Sequence, residues 1–329
     1  MTKTVVKISA WSFIIGSAAA IADRIDFGEF GWFFDLSAQF TLHLVFAGVV
    51  VSIALLLFRS TKLLSAALFL SGAHIFSVVS QSNFSLPRSG SSQSAETVSV
   101  LSANIWRNAN ALDQLAELAE LEDTDIVAIV EMTRNSCNDL AEDFPQYPFC
   151  RIVDRNEQGA LLSKSMALLS KNEPQSFSVL SQPEFRNRGI ISAVFEFDSR
   201  LAQVVVVHPV APGSPAHMRD RNHVLSATNA LLEHREHFML MGDMNTTPWS
   251  RVGRRLPGVR AGDPRTESTW LTRFPLIGLP IDHIRFSDSL RLNDYRLGPN
   301  IGSDHMPLIA EFQFDDAKTQ PKNVSLGAE

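Results

Sequence analysis

Three long apolar runs open the chain, Val5–Ala22, Phe40–Phe58 and Leu63–Val79. A membrane-crossing helix needs about 20 predominantly apolar residues. The second run meets that length with one ionisable group, His43; the first and third are somewhat short, and the third contains His74. A cleaved signal peptide would explain the first run by itself. The two later runs favour a multi-pass anchor across residues 1–80, with spans near 5–22, 40–58 and 63–79. Arg59 to Lys62 leave room only for a tight helical hairpin. Phe27, Phe30, Trp32, Phe33 and Phe34, between the first two spans, carry rings that favour a membrane–water interface. His43 and His74, without partner motifs, read as hydrogen-bonded packing residues.

The pattern changes after the third run. Gln81–Glu96 has six serines, one proline and one glycine with little apolar content, and reads as a flexible tether. From Val98 short β-prone runs alternate with helical spacing. Val98–Ala103, Ile126–Val130, Gly189–Phe197, Gln203–His208, Phe238–Gly242, Ile281–Phe286 and Leu308–Phe314 predict strands, with a turn at Asp198 and Ser199. Ala111–Leu121 and His217–His234 predict helices. Many strand–strand connections point to an α+β sandwich over residues 97–315 rather than a regular βαβ series. Residues 316–329 form a polar tail.

Charge adds an orientation. Lys3 and Lys7 stand at the start of the first span, and Arg59 and Lys62 lie between the second and third. The first loop has only Arg24 among four acids. The bias of Lys and Arg toward cytoplasmic loops puts the N-terminus and the short hairpin inside. Three spans then leave the C-terminal domain extracytoplasmic, periplasmic in a Gram-negative cell. Residues 1–87 hold five Lys/Arg against four Asp/Glu, so the rest of the chain carries more than the whole net charge of −6. Such acidity suits general binding to a nucleic-acid backbone poorly. Two cysteines, Cys137 and Cys150, are too few for a disulfide framework, and the sequence leaves open whether they pair.

Polar residues of interest follow the buried runs, where strand ends meet a cleft. Asn104 follows the first strand, Glu131 the second, His208 the fourth, and Asp243 and Asn245 the fifth; Asp282 and His283 open the sixth, and Asp304 and His305 precede the last. The chemistry that fits is phosphoester hydrolysis. Mg²⁺ takes oxygen ligands, one or two of them carboxylates, a role that suits Glu131 and Asp304. Asp243 and Asn245 suit orientation of an attacking water. His305 with Asp282 would form a carboxylate-held imidazole. Individually these residues read as turn chemistry. Arg219 and Trp249, taken alone, read as a solvated helix residue and a packing residue. His217, His223, His234 and His237 lack the further ligands of a zinc site. Gly242 and Gly302 stand singly, so no phosphate-cradling glycine loop is implied.

Five phrases, Leu101 to Asn104, Ile129 to Glu131, Gly242 to Asn245, Ile281 to Ile284 and Gly302 to Pro307, resemble in content and order the endonuclease/exonuclease/phosphatase superfamily. The resemblance runs from Val98 to Phe314, about two thirds of the chain. It implies a four-layer αββα sandwich like that of deoxyribonucleases and a Mg²⁺ cofactor, with Mn²⁺ as a substitute. Glu131 would be the principal metal ligand with Asn104 and Asp304 near it. Asp243 would activate water, Asn245 would hydrogen-bond phosphate, and His305, oriented by Asp282, would contact it along with His208. The His208-Pro209 pair with Arg219 downstream, Thr246 to Ser250, and Thr269-Trp270 look like a bacterial branch with N-terminal membrane helices, in which Arg219 and Trp249 would face substrate.

The expected activity is therefore hydrolysis of a phosphodiester or phosphomonoester by a membrane-anchored enzyme, with the bilayer as its other partner and no protein partner implied. Arg186, Arg188, Arg219, Arg221, Arg251, Arg254 and Arg255 would line a groove if the substrate were nucleic acid, the anchor would serve a lipid headgroup, and the sequence does not choose between the two. A catalytically silent tethered scaffold would have lost at least one charged site residue, and none is lost.

Overall fold

The computed structural model describes residues 2–81, 83–88, 96–132, 136–155, 161–186 and 188–315. The apolar runs form α1 (Lys3–Ala22), α3 (Thr41–Leu57) and α4 (Thr61–Val79). α1 and α4 are each long and apolar enough to cross a membrane; a third crossing counts only if Gly28–Gln39 is joined to Thr41–Leu57, from which it is bent by 65°. The anchor is thus multi-pass, with two crossings of full length. Arg59, at φ 54°, closes the tight hairpin between α3 and α4. Their approach depends on Gly48, where an added Cβ would lie 2.1 Å from Ser71 Oγ; small residues permit such contact between membrane helices. Ile8, Trp11, Ile15, Val50, Ile53, Phe69 and Phe76 point outward, as expected where the surroundings are lipid rather than water. His74 is buried as a packing residue, but its Nε2 has no hydrogen-bond partner, contrary to expectation.

The aromatic stretch between the first two spans contains an element the apolar pattern did not predict. Trp32–Gln39 forms α2, held on the soluble domain by three contacts, with a fourth from the turn before it. Trp32 Nε1 donates to Pro212 O at 2.7 Å, and Thr247 N donates to Gln39 Oε1 at 2.7 Å. Arg221 Nη2 meets Asp35 Oδ1 at 2.6 Å with both side chains buried, and the preceding turn adds an ion pair between Glu29 and Arg219.

The soluble part is mixed α/β. In chain order it holds β1 (Phe84–Ser85), β2 (Val98–Asn104), α5 (Ala109–Leu121), β3 (Ile126–Val130), α6 (Cys137–Asp143), β4 (Phe149–Arg155), β5 (Leu161–Ser170), β6 (Ser176–Leu180), β7 (Ile190–Phe197), β8 (Arg200–Val207), α7 (Pro215–Leu232), β9 (Phe238–Asp243), β10 (Val259–Ala261), β11 (Asp282–Phe286), β12 (Leu290–Leu297) and β13 (Leu308–Phe314). One sheet has the order β1-β10-β11-β9-β8-β7-β6, the other β12-β13-β2-β3-β5-β4.

Period-two alternation sorts the strand residues. Val98, Val100, Ile126, Ala128 and Val130 of one sheet meet Val204, Val206, Met239 and Met241 of the other in a shared core. Leu101, Ala103, Val127 and Ile129 point the opposite way and bury Leu112, Leu115 and Leu118 of α5. Val205, Val207 and Leu240 do the same with Val224 and Leu225 of α7. Each fully buried Leu or Val contributes about 1.5–3 kcal/mol.

Two features fasten the domain further. Cys137 and Cys150 are joined by a disulfide, tying α6 to β4. The segment read as a loose tether enters the sheet: β1 pairs parallel with β10, Arg260 N donates to Asn83 O, and Arg88 N donates to Leu292 O. Residues 82 and 89–95 of that segment, and the tail at 316–329, lie outside the described residues.

Candidate active site

Both sheets deliver polar side chains to one end of the sandwich. β2 runs parallel to β3, and β8 parallel to β9, so Asn104, Glu131, His208 and Asp243 all stand at or just past C-terminal strand ends. β11 runs antiparallel to β9, which places Asp282 directly opposite Asp243 in register. β13 runs antiparallel to β2, which brings the preceding Ser303 to His305 to the same end. Ser303 Oγ donates to Asn104 O at 2.7 Å and locks that approach.

The turns are strained to suit. Gly242 has φ 130°, and an added Cβ there would lie 2.1 Å from Val207 O. Any other residue would force β8 and β9 apart beneath His208 and Asp243. Glu131 (φ 57°) and Asn245 (φ 49°) are left-handed without being glycine, a conformation that costs about 1–3 kcal/mol and clusters at functional sites. Asn245 is supported by its N–H, which donates to Asp243 Oδ1 at 2.9 Å, and by its side-chain amide, which donates to Pro209 O at 3.0 Å.

Asp243 is the hub. Its Oδ2 accepts from Asn104 Nδ2 at 3.1 Å and lies 3.6 Å from His208 Nε2 and 3.8 Å from His305 Nε2. His305 Nδ1 donates to Asp282 Oδ2 at 2.8 Å. His208 Nε2 lies 3.5 Å from Glu131 Oε1. Arg188 Nη1 approaches His208 Nδ1 at 3.4 Å. A guanidinium only donates, so Nδ1 accepts and the proton on Nε2 faces the two acids. Asp304 Oδ2 accepts from Trp270 Nε1 at 3.2 Å, while its Oδ1 is buried without a hydrogen-bond partner.

Burial raises the Asp243 carboxyl above the ordinary aspartate range, and the charge of Asp282 raises it further against the pull of His305. For His305, burial works against the cation, but the charge and hydrogen bond of Asp282, then Asp243 and Asp304, overcome it and raise the imidazole well above its usual range. His283 is of another kind: burial and Arg260 hold it well below the usual range, and it ties Arg260 to the Thr246 carbonyl.

Among the described residues, Asp243, Asp282 and His305 bring ligand atoms within 4.8 Å of one another, a grouping able to hold a metal ion. The oxygen-rich lining and the orphaned, buried Asp304 Oδ1 fit a hard cation. Asn104 is more committed than a simple ligand, since its Oδ1 already accepts from Trp106 N at 3.0 Å.

Of the residues singled out in the sequence, Asn104, Glu131, His208, Asp243, Asp282, Asp304 and His305 meet in this constellation, with Asn245 at its edge. Arg219 does not join it; its ion pairs run to Glu29 and Asp220. Trp249 is buried, with an unpartnered Nε1. Arg188, which the sequence offered only as part of a basic rim, is buried against His208. Trp270 was legible only as part of a phrase.

The chain belongs to the Endonuclease/Exonuclease/phosphatase family, whose pattern matches residues 101–305. No curated protein matches it. Solved structures share the fold. A humanized D. rerio TDP2 carrying 14 mutations superposes with TM-score 0.54 at 14% identity, over 66% of this chain and 99% of that one. The endonuclease/exonuclease/phosphatase of Beutenbergia cavernae gives 0.53 at 18% identity, over 66% and 72%. That of Bacteroides vulgatus gives 0.53 at 16%, over 67% and 100%.

Proposed function

We propose that the protein is a membrane-anchored, Mg²⁺-dependent hydrolase of phosphoester bonds, with residues 97–315 as a four-layer αββα catalytic domain. One observation carries the reading: a connected set, hydrogen-bonded from Asp282 to His305 and from Asn104 to Asp243 and with His305 within ion-pair distance of Asp243, spans the ends of both sheets with His208 and Glu131 alongside.

Glu131 and Asp304, with Asn104 beside them, would hold the ion, which when bound neutralises charge on the phosphoryl group and its leaving oxygen. Asp243 takes a proton from the water whose oxygen attacks phosphorus. The bond from phosphorus to the leaving oxygen breaks, and that oxygen takes up a proton from solvent water. His305, held as a cation by Asp282, and His208, with Nε2–H forward, donate hydrogen bonds to phosphoryl oxygens. Asn245 contributes its second amide hydrogen. Arg219 and Trp249 act farther out, Arg219 where the anchor meets the domain.

A membrane orientation is part of the proposal. α3, at 17 residues, extends ~26 Å and packs antiparallel to α4, so we read it as a third crossing. Lys3, Lys7, Arg59 and Lys62 then fall on the cytoplasmic side and the catalytic domain outside. The Cys137–Cys150 disulfide supports an oxidising compartment.

The test is turnover of bis(p-nitrophenyl) phosphate by the full chain in detergent micelles, with and without Mg²⁺. Metal-dependent hydrolysis should fall about 10²–10⁴-fold in Asp243→Ala and in His305→Ala. Turnover that ignores both substitutions, or absence of metal-dependent turnover on any phosphoester, would overturn the proposal and leave the silent scaffold.

A further inference from the structure

An apolar cavity of about 550 Å³ lies where the anchor meets the catalytic domain, within the range of about 300–1,000 Å³ usual for small-molecule pockets. Its walls come from two places that the sequence keeps far apart. Leu42, His43 and Phe46, the first turns of α3, form one side; Pro275, Leu276 and Leu279 of the loop before β11 form the other, and Arg265, Glu267 and Asn300 add a polar part to the lining. At a rise of ~1.5 Å per residue, Phe46 is only ~8 Å along the helix from Thr41. The cavity therefore lies beside the first turns of α3, the helix proposed above as the third crossing.

The loop wall is exposed in an unusual way for a water-soluble domain. Phe274, Leu276 and Ile277 stand next to one another at the surface, Leu276 with 93% of its area accessible. The outward side of α3 continues this apolar surface through Phe46, Val49, Val50 and Ile53. A contiguous apolar patch that joins a membrane helix marks contact with lipid rather than water.

The same loop is bonded to the catalytic strand end. Leu271 N and Thr272 N donate to Asp304 O at 2.9 and 3.1 Å, and Thr272 Oγ1 donates to Ser303 O at 2.9 Å. Trp270 pairs with both Leu279 and His305 across backbone bridges and donates its indole N–H to Asp304. Met306, directly after His305, lines the cavity. The cavity thus reaches Met306, the residue after the candidate phosphate-binding imidazole.

We infer that this cavity holds one hydrocarbon chain of a membrane lipid whose phosphoester lies at the Asp243–His305 site, so that the substrate class is an amphiphilic phosphoester drawn from the bilayer. The inference rests on the proposed hydrolase reading for its headgroup half and on the cavity for its tail half. Phe274, Leu276 and Ile277 enter the lipid surface, and the chain slides between them and α3 while the headgroup stays with the carboxylates and imidazoles.

The test uses the full chain in vesicles of dioleoylphosphatidylcholine and dioleoylphosphatidylglycerol, containing as probe a phosphatidylglycerol with a diazirine near the end of one acyl chain. Irradiation should label the segment 265–280 as well as the outer faces of the helices. Leu42→Trp, which narrows the cavity beside α3, should weaken labelling of 265–280 while labelling around Trp11 persists. In micelles, dioleoylphosphatidylglycerol should inhibit hydrolysis of the soluble diester at least about tenfold more strongly than the dibutanoyl lipid, a preference that burial of only two methylenes would generate. Leu276→Asp, at an exposed position, should erase that preference. Labelling confined to helix faces, labelling of 265–280 unchanged by Leu42→Trp, equal inhibition by the two lipids, or displacement of the probe by a single-stranded oligonucleotide would each overturn the inference. Loss of metal-dependent turnover with labelling of 265–280 intact would sink the hydrolase reading and leave the lipid cavity standing; normal turnover without labelling would do the reverse.

Discussion

Asp243 and His305 share one electrostatic sign. Burial and Asp282 raise the Asp243 carboxyl, and Asp282 with its acidic neighbours outweighs burial to raise the His305 imidazole. A group with a raised folded-state pKa contributes stability that is complete below its unfolded pKa and lost as pH rises through the folded one. For Asp243 that loss begins at the ordinary carboxylate range and continues upward; for His305 it begins at the ordinary imidazole range. The metal-free protein should therefore lose stability as pH rises, and calorimetry in a chelator should show its Tm falling. Mg²⁺ should restore the Tm most at the alkaline end, where the ionised carboxylates meet it. Asp243→Asn should remove the acidic part of the fall. A Tm that climbs with pH in chelator would contradict this charge arrangement.

Among the elements, α2 is the one whose role goes beyond its length of eight residues. Its Asp35 neutralises Arg221, which is completely buried and whose Nη1 donates to the Asn245 carbonyl at 3.2 Å. Removing one member of a buried ion pair costs about 3–5 kcal/mol. Asp35→Ala should lower the Tm accordingly, and Asp35→Leu combined with Arg221→Met should recover most of the loss. Because Arg221 also holds the Asn245 turn, Arg221→Met alone should raise KM for the soluble diester more than it lowers kcat. An unaltered KM in Arg221→Met would mean that the strap is only structural. This element also shows where sequence reading stopped. β2, β3, β7, β9, β11 and β13 were legible because their apolar runs are buried, and α5 because Leu112, Leu115 and Leu118 repeat at helical spacing. β12 (Leu290–Leu297) was not, since it edges its sheet and carries Arg291, Asn293, Asp294 and Arg296. α2 was not, because Trp32, Phe33 and Phe34 read as interface aromatics and its helix is fixed by docking. The site followed the same logic. Side chains set directly after buried runs could be named, whereas Arg188 reaches His208 through a fold-level approach that no local spacing encodes.

At the scale of the whole molecule, compartment and architecture become one question. Cys137 and Cys150 close a loop 13 residues apart, which stabilises by about 3 kcal/mol in the chain-entropy account. Protein trapped with an alkylating agent at cell lysis should have both thiols protected, and Cys137→Ser with Cys150→Ser should lower stability by about that amount. Free thiols in freshly trapped protein would place the domain in the cytoplasm. The pairing of β1 with β10 has a further consequence. Only residues 80–83 separate α4 from β1, so the link between the last membrane helix and the sheet stretches no more than ~18 Å. The soluble domain is on a short leash, confined to a thin layer above its own bilayer. Its encounters are then a search in two dimensions, and its rate should follow the density of substrate per unit of surface rather than the concentration in bulk, unaffected when the same vesicles are diluted in buffer.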